Sequence, residues 1–405
     1  MFRRLKSRIK DFQRWKSRHR FFSWPQYGKW VERIKRDHSA FVPFTDHPYQ
    51  RREDDVKVFA YYLPQFYAIP ENDAAYGKGF TEWTNVASAV PHFVGHYQPK
   101  IPYDLGFYNL LMPGVMERQV EIAKAYGIYG FCFYYYWFSG KKALEKPLEY
   151  FYDSGIDFHY HFCWANENWS KLWDGGNQEV IFEQKFSDSE ADAFYKDIQR
   201  FLHDSRYEKI GNKPIIMMYR PSLFPKELFL SFVARLRDLA VQDGFDGLFL
   251  TCSNHTKIDP LSWGLDGLTE FPPHGMFSQC AEKRSIDRLI PSSSFKILDT
   301  SDYIENKKYL DGAVHPTFKA CFPGWDNTPR KAWSSGRCFL LSDEDLKRWL
   351  LDILVWTKQN HSKEQQLIYI NAWNEWAEGA VLEPTVREGY KNLQIVKESL
   401  EISRE

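Results

Sequence analysis

The stretch Leu367-Ile368-Tyr369-Ile370-Asn371-Ala372-Trp373-Asn374-Glu375-Trp376-Ala377-Glu378-Gly379 changes character a third of the way along. Its first four residues form an apolar run with the length and β-branched character of a buried strand. Amides, indoles and carboxylates follow, ahead of Gly379 and Pro384. A strand that turns polar and aromatic at its C-terminal end fits the rim of a (β/α)8 barrel, where chemistry gathers at the strand ends. A helical turn after Glu375 would put Glu375 and Glu378 on one face, addressing one ligand. Two such carboxyls can divide the work of proton donor and of base or nucleophile. Trp373 and Trp376 beside them offer indole faces to a pyranose. The plainer reading is a pair of solvated acids in the first turn of a helix, where the macrodipole favours them. The surrounding indoles and amides weigh toward sugar chemistry.

Working outward, eight segments have strand character: 58–63, 130–135, 159–164, 214–219, 247–251, 267–269, 315–321 and 367–370. Helical spacing separates several of them. Met116, Val120 and Ala123 precede the second, and Phe194, Ile198 and Phe201 the fourth. Leu228, Phe232, Leu236 and Leu239 precede the fifth, with Pro225 suited to a first turn. Ser342-Asp343-Glu344-Asp345 caps a helix carrying Leu346, Trp349, Leu350 and Ile353. The pattern predicts an α/β chain folded as a (β/α)8 TIM barrel with long inserted βα loops, over residues 51–405. An open doubly wound sheet is the alternative, but no Gly-rich fingerprint follows the first strand. Two insertions, 65–114 and 277–312, are long enough to wall or cover a cleft.

The strand ends supply candidate ligand-binding residues: Tyr62, Gln65, Trp137, Trp164, Asn166, Glu167, Trp169, Tyr219, Arg220, Glu270, Trp325 and Asn374. Glu82 and Trp83 join them, because a charge among so many aromatics is costly unless used or paired. The set is one of amides, carboxylates and rings, with no pattern of nucleophilic serine or cysteine. For each residue a structural role competes: Trp137 and Trp164 could cap the core, and Arg220 could pair with a neighbouring acid.

Aromatic residues make up 18% of the chain, with 15 Trp and 24 Tyr, which suits a wet stacking cleft as well as a large core. Basic and acidic residues balance at 53 each, so net charge indicates no polyanionic partner. Six dispersed cysteines show no metal-ligand spacing, which predicts reduced thiols and no structural metal. The apolar runs are too short for a membrane span, and the N-terminus has no signal-peptide core. A cytoplasmic protein is expected. Residues 1–50 differ from the rest: Arg3, Arg4, Lys6, Arg8, Lys10, Arg14, Lys16, Arg18 and Arg20 surround Phe2, Leu5, Ile9 and Phe12 at helical spacing. That stretch is read as a basic amphipathic arm over residues 1–50, which through residues 1–36 could lie on the anionic inner membrane or remain a solvated tail. A nucleic-acid partner is not expected, as no recognition module accompanies the basic run.

Trp373-Asn374-Glu375-Trp376-Ala377-Glu378-Gly379 with Glu383-Pro384 resembles the motif of glycoside hydrolase family 99, the endo-α-mannosidases and endo-α-mannanases. The chain is more closely similar to the WbsX-type branch of that clan. The resemblance also rests on Tyr61-Tyr62-Leu63-Pro64-Gln65-Phe66, Gly79-Phe80-Thr81-Glu82-Trp83-Thr84-Asn85 and His161-Phe162-Cys163-Trp164-Ala165-Asn166-Glu167-Asn168-Trp169. It covers the chain from about Val56 onward. It implies a carbohydrate-active barrel in bacterial surface-polysaccharide (O-antigen or capsule) metabolism, acting on a glycan or lipid-linked oligosaccharide without cofactor. It further implies that Glu375 acts as base on the sugar's own 2-hydroxyl and Glu378 as acid on the leaving oxygen. Chemistry alone leaves the two roles, and hydrolysis against transfer, open. A nucleotide-sugar-dependent glycosyltransferase, with the donor held around Trp325-Asp326 or Arg330, and a non-catalytic glycan-binding barrel are the competing readings.

Overall fold

The computed structural model describes residue 32 and residues 40–170, 180–184, 189–254, 257–289, 295–310, 316–331 and 336–404. Apart from Glu32, the basic arm of residues 1–36 lies outside the described residues. Nine strand segments form a nearly closed parallel barrel: β1 Lys57–Tyr62, β2 Gly130–Phe138, β3 His159–Trp164, β4 Lys213–Met218, β5 Phe249–Ser253, β6 Gly267–Thr269, β7 Thr317–Phe318, β8 Ala320–Cys321 and β9 Leu367–Ile370. Lys319 alone separates β7 from β8, which together take the seventh of eight positions. β7 pairs with β6 and β8 with β9. β9 closes the ring on β1, Lys57 opposite Leu367 and Ala60 opposite Ile370.

Alternation along the strands sorts side chains into two cores. Phe59, Tyr61, Cys132, Cys163, Met217, Phe318 and Tyr369 fill the barrel, while Ala60, Tyr62, Phe133, Phe162, Ile216 and Ile368 face the helices. Inside, Tyr61 stacks on Tyr369 at 5.3 Å, and the Tyr369 hydroxyl lies 3.1 Å from His161 Nε2. This layer of rings fills the barrel interior beneath the C-terminal rim. All six cysteines are buried and free.

The helices, in chain order, are α1 Pro70–Tyr76, α2 Glu82–Ser88, α3 Val115–Ala125, α4 Lys146–Ser154, α5 Glu190–Leu202, α6 Lys226–Gln242, α7 Ser301–Glu305, α8 Thr328–Lys331, α9 Asp343–Asn360 and α10 Lys391–Ile402. α9 begins where its cap predicts: Ser342 Oγ accepts the Asp345 N–H at 3.0 Å. No described helix is long and apolar enough to cross a membrane. Residues 40–50, grouped by composition with the arm, dock on the barrel. Val42 exchanges backbone bonds with Glu388 and Tyr390 at 3.0 and 2.9 Å, and the Tyr49 N–H donates to Ala125 O at 2.8 Å.

The described residues of both insertions carry regular elements. The first carries α1 and α2. The second contributes Ala281–Glu282 and Lys296–Asp299 to a small sheet completed by Trp325–Asp326 and Arg337–Leu340. That sheet aims Trp325 and the following α8 at the barrel mouth.

Candidate functional site

After β9 the chain makes a tight hairpin. Asn374–Glu375 pairs with Ala380–Val381 across a 3-10 turn of Trp376–Glu378. Gly379 closes the turn at φ +62°, and a Cβ there would lie 3.1 Å from the Asp326 Cβ, so glycine suits both the dihedral and the close approach. The turn presents Glu375 and Glu378 on one side, as their spacing predicts.

Between them sits Arg330 of α8. Its Nη1 donates to Glu378 Oε1 at 2.7 Å and its Nη2 to Glu375 Oε2 at 3.0 Å. Nε and Nη2 reach Glu82 Oε1, from the start of α2, at 2.8 and 2.6 Å. Trp325 Nε1 donates to the second oxygen of Glu378 at 3.0 Å. Three carboxylates from two distant segments thus converge on one buried guanidinium. Burial pushes the Glu375 carboxyl up to about 8; Arg330 opposes the shift, and Glu378 and Glu82 add to it.

The turn borders a cavity of about 400 Å³ at the C-terminal ends of the strands. Of the sequence-predicted residues, Gln65, Glu167, Trp169, Tyr219, Arg220, Trp325, Glu375 and Glu378 line it, joined by Tyr134, Tyr136, Phe271, His274, Phe277 and Arg330. Opposite the hairpin, Arg220 is ion-paired with Glu167, and the Tyr219 hydroxyl lies 2.8 Å from His274 Nε2. Burial raises the Glu167 carboxyl and lowers His274.

The remaining candidates do not line the cavity. Tyr62 points to the helix layer, its hydroxyl donating to Gln119 Oε1 at 2.8 Å. Trp137 and Trp164 also face outward and pack on Phe194 of α5. The strand alternation that sends them out sends Tyr134 and Tyr136 in. Asn166 braces the Arg220 backbone through bonds of 2.8 and 2.7 Å. Glu270 takes Lys319 Nζ at 2.9 Å and the Ala320 N–H at 3.0 Å, tying β6 across the Lys319 break. Trp83 packs on Trp376 behind the turn and donates its indole N–H to Tyr108 O at 2.7 Å.

The motif's own indoles are not stacking faces. Trp373 and Trp376 are 0% and 1% exposed, and buried indoles need acceptors. Both find Glu383: Trp373 Nε1 reaches Oε1 at 3.1 Å and Trp376 Nε1 reaches Oε2 at 2.6 Å. Gln119 and Tyr108 donate to the same carboxyl at 2.6 and 2.9 Å. Asn374 locks the turn to the end of β1, accepting the Leu63 N–H at 2.7 Å and donating to Leu63 O at 3.0 Å. Trp373, Asn374, Trp376 and Glu383 are therefore the frame that holds Glu375 and Glu378.

Among the described residues, His96, Asp326 and Cys338 bring potential metal-ligand atoms within 4.8 Å of one another. His96 Nδ1 accepts the His92 N–H at 3.0 Å, which leaves the proton on Nε2, 2.6 Å from Asp326 Oδ2. Gln98 and the Thr328 N–H also donate to Asp326, whose carboxyl is held down at about 2 by these partners despite burial. With both ring nitrogens of His96 engaged, the group supports the Trp325–Asp326 strand rather than offering lone pairs to a cation. The same bonds withdraw Asp326 from any nucleotide phosphate.

A family model described as the WbsX glycosyltransferase matches residues 58–396. The protein WxcX of Xanthomonas campestris pv. campestris is 39% identical over 348 residues in one strain and 38% over 346 in another. Each match covers 84% of this chain and 49% of the relative, so the chain spans about half the length of these curated relatives. Among solved structures, the family 99 endo-α-mannosidase of Bacteroides thetaiotaomicron in complex with bis-tris-propane superimposes with a TM-score of 0.53. It is 12% identical, with 86% of this chain and 98% of that one covered. A glycoside hydrolase-like protein gives a TM-score of 0.51 at 13% identity, covering 89% and 98%. At these identities the likeness is one of fold.

Proposed function

The chain belongs to the WbsX glycosyltransferase family, and from that premise we propose that it breaks or transfers a glycosidic bond in a bacterial surface polysaccharide or its lipid-linked precursor. The observation that carries this reading is the convergence of Glu82, Glu375 and Glu378 on Arg330 at one side of an aromatic-walled cavity. Tyr134, Tyr136, Trp169 and Tyr219 offer ring faces to the apolar side of a sugar, and Gln65, Arg220 and His274 offer polar groups to its hydroxyls.

In the proposed reaction Glu375 takes the proton of the sugar's 2-hydroxyl as that oxygen attacks the anomeric carbon. Glu378 protonates the departing glycosidic oxygen. Water or an acceptor hydroxyl then opens the anhydro-sugar, giving hydrolysis or transfer from one intermediate. A carboxyl raised to about 8 is, once ionised, a stronger base than an ordinary carboxylate, which suits it to a weakly acidic hydroxyl. With Glu375 as base, kcat/KM is expected to climb with pH until it levels near 8. A rate that falls steadily across that range would contradict Glu375 as the base.

Incubating the pure protein with defined lipid-linked oligosaccharides, with and without nucleotide sugars, tests the reading. Activity is expected in EDTA and without a nucleotide donor. A strict requirement for a UDP- or GDP-sugar would replace this mechanism with nucleotide-dependent transfer, the reading favoured by the family's description as a glycosyltransferase.

The basic arm extends the proposal to location, at the cytoplasmic face of the inner membrane. Each of its Lys and Arg residues near an anionic surface contributes roughly 1 kcal/mol, lost as salt screens it. Deleting residues 1–36 is expected to abolish co-sedimentation with anionic vesicles at low salt and to spare turnover of soluble glycans. Vesicle binding that survives the deletion, or that high salt leaves untouched, would contradict a role for the arm.

A further inference from the structure

Arg330 bonds to three carboxylates at once, and its side chain is only 10% exposed. A guanidinium stays charged throughout the working pH range. With all three acids ionised the cluster would carry two uncompensated negative charges in a site shielded from water, which the Coulomb cost disfavours. Burial and the neighbouring acids favour a proton on Glu375, and the one positive charge at the centre of the cluster opposes it.

We propose that Arg330 is a positioning residue for the Glu375–Glu378 pair: it fixes both carboxyls and Glu82 in one cluster and sets the pH range over which the pair can work. The proposal rests on the reading of these two glutamates as acid and base. Glu82 is the opposing element, a third negative charge that favours protonation of its neighbours.

The other charged and titratable groups around the cluster are already committed. Tyr134 and Tyr136 face it from β2, and burial keeps both phenols protonated. His274 faces it from the loop after β6 and lies against the Tyr219 hydroxyl; burial lowers its affinity for a proton, and Glu378 opposes that shift. Asp326 is taken by His96 and Gln98, and Lys100 Nζ donates to Gly379 O at 2.9 Å. The geometry thus leaves Arg330 and Glu82 as the two groups whose removal should move the titration in opposite directions.

The test compares wild type with Arg330→Met, Arg330→Lys and Glu82→Gln. It uses kcat/KM against pH, and difference infrared spectra that follow the protonated carboxyl band of the substrate-free protein. Loss of the guanidinium is expected to move the titration upward by about a pH unit or more, which is a tenfold change in proton affinity. Arg330→Lys should fall between wild type and Arg330→Met, since it keeps the charge and loses the fork. Glu82→Gln should move the titration downward. Should Arg330→Met fail to fold, the lysine and Glu82 variants still carry the two opposite signs. Titrations unchanged in folded variants would overturn the proposal, whatever happens to the rate. Opposite infrared shifts with no turnover of any glycan would uphold Arg330 as the group that sets the carboxyl titration and overturn the catalytic reading, and with it any positioning role.

Discussion

Glu375→Gln and Glu378→Gln are each expected to lower turnover by at least the ~10²–10⁴-fold typical of acid–base catalysis, with the fold intact. Neither carboxyl is the centre of the local frame: the turn is held by Asn374, by Glu383 and by the pairing with Ala380–Val381. An amide preserves shape and can still accept from Arg330, but it can neither remove nor deliver a proton. The two variants should differ in stability. In the folded chain Glu375 binds its proton up to about pH 8, whereas in the unfolded chain it releases it near its ordinary 4.5. Between those values the unfolded state gains from ionisation, so this group costs stability as pH rises, on the order of a few kcal/mol by pH 8. Glu375→Gln removes that cost. Its melting temperature should exceed that of wild type at pH 8, with the advantage shrinking toward pH 5. Near-normal turnover by either variant on an active substrate would sink the catalytic assignment. A loss of melting temperature at pH 8 in Glu375→Gln would contradict the burial argument.

The second large effect is expected at Glu383, which no candidate list from the strand ends would include. Truncating it to Ala leaves the indole N–H groups of Trp373 and Trp376, the Tyr108 hydroxyl and the Gln119 amide without their acceptor in a buried site. Each orphaned donor costs ~1–3 kcal/mol, so the sum is roughly 4 kcal/mol or more, a large part of a domain's stability. Loss of cooperative unfolding, or a large drop in midpoint during denaturant titration, is the expected result. Glu383→Gln keeps one acceptor oxygen and should lose less stability but a disproportionate share of kcat, because the turn bearing Glu375 and Glu378 loosens. A Glu383→Ala variant with wild-type stability would mean that the four bonds are not what holds the turn.

The barrel was legible because its signal is local. Apolar runs of strand length, helical spacing between them and a capping sequence at Ser342 each reflect nearest-neighbour physics. Even the faint seventh strand was findable, although its break at Lys319 was not: that break reflects a buried ion pair with Glu270, 49 residues away. The pair Glu375 and Glu378 was legible for the same reason, being two residues on one turn. Arg330 was not. It comes from a Thr-Pro-Arg-Lys helix with no pattern of its own, and reaches Glu82 across 248 residues of chain. The indoles misled because Trp beside a carboxylate suggests stacking, while a buried indole N–H needs an acceptor, and Glu383 supplied it. On β2 the signal was present: with Phe131, Phe133 and Tyr135 facing the helices, alternation places Tyr134 and Tyr136 inside and Trp137 outside.

In the proposed reaction Glu375 and Glu378 act on a sugar through its own 2-hydroxyl. The most direct measurement is turnover of a glycan substrate beside its 2-deoxy counterpart, in EDTA and without nucleotide, with binding of both followed by calorimetry. The expected result is that both bind with affinities of the same order and only the 2-hydroxylated glycan is cleaved or transferred. Comparable turnover of the 2-deoxy glycan would contradict it.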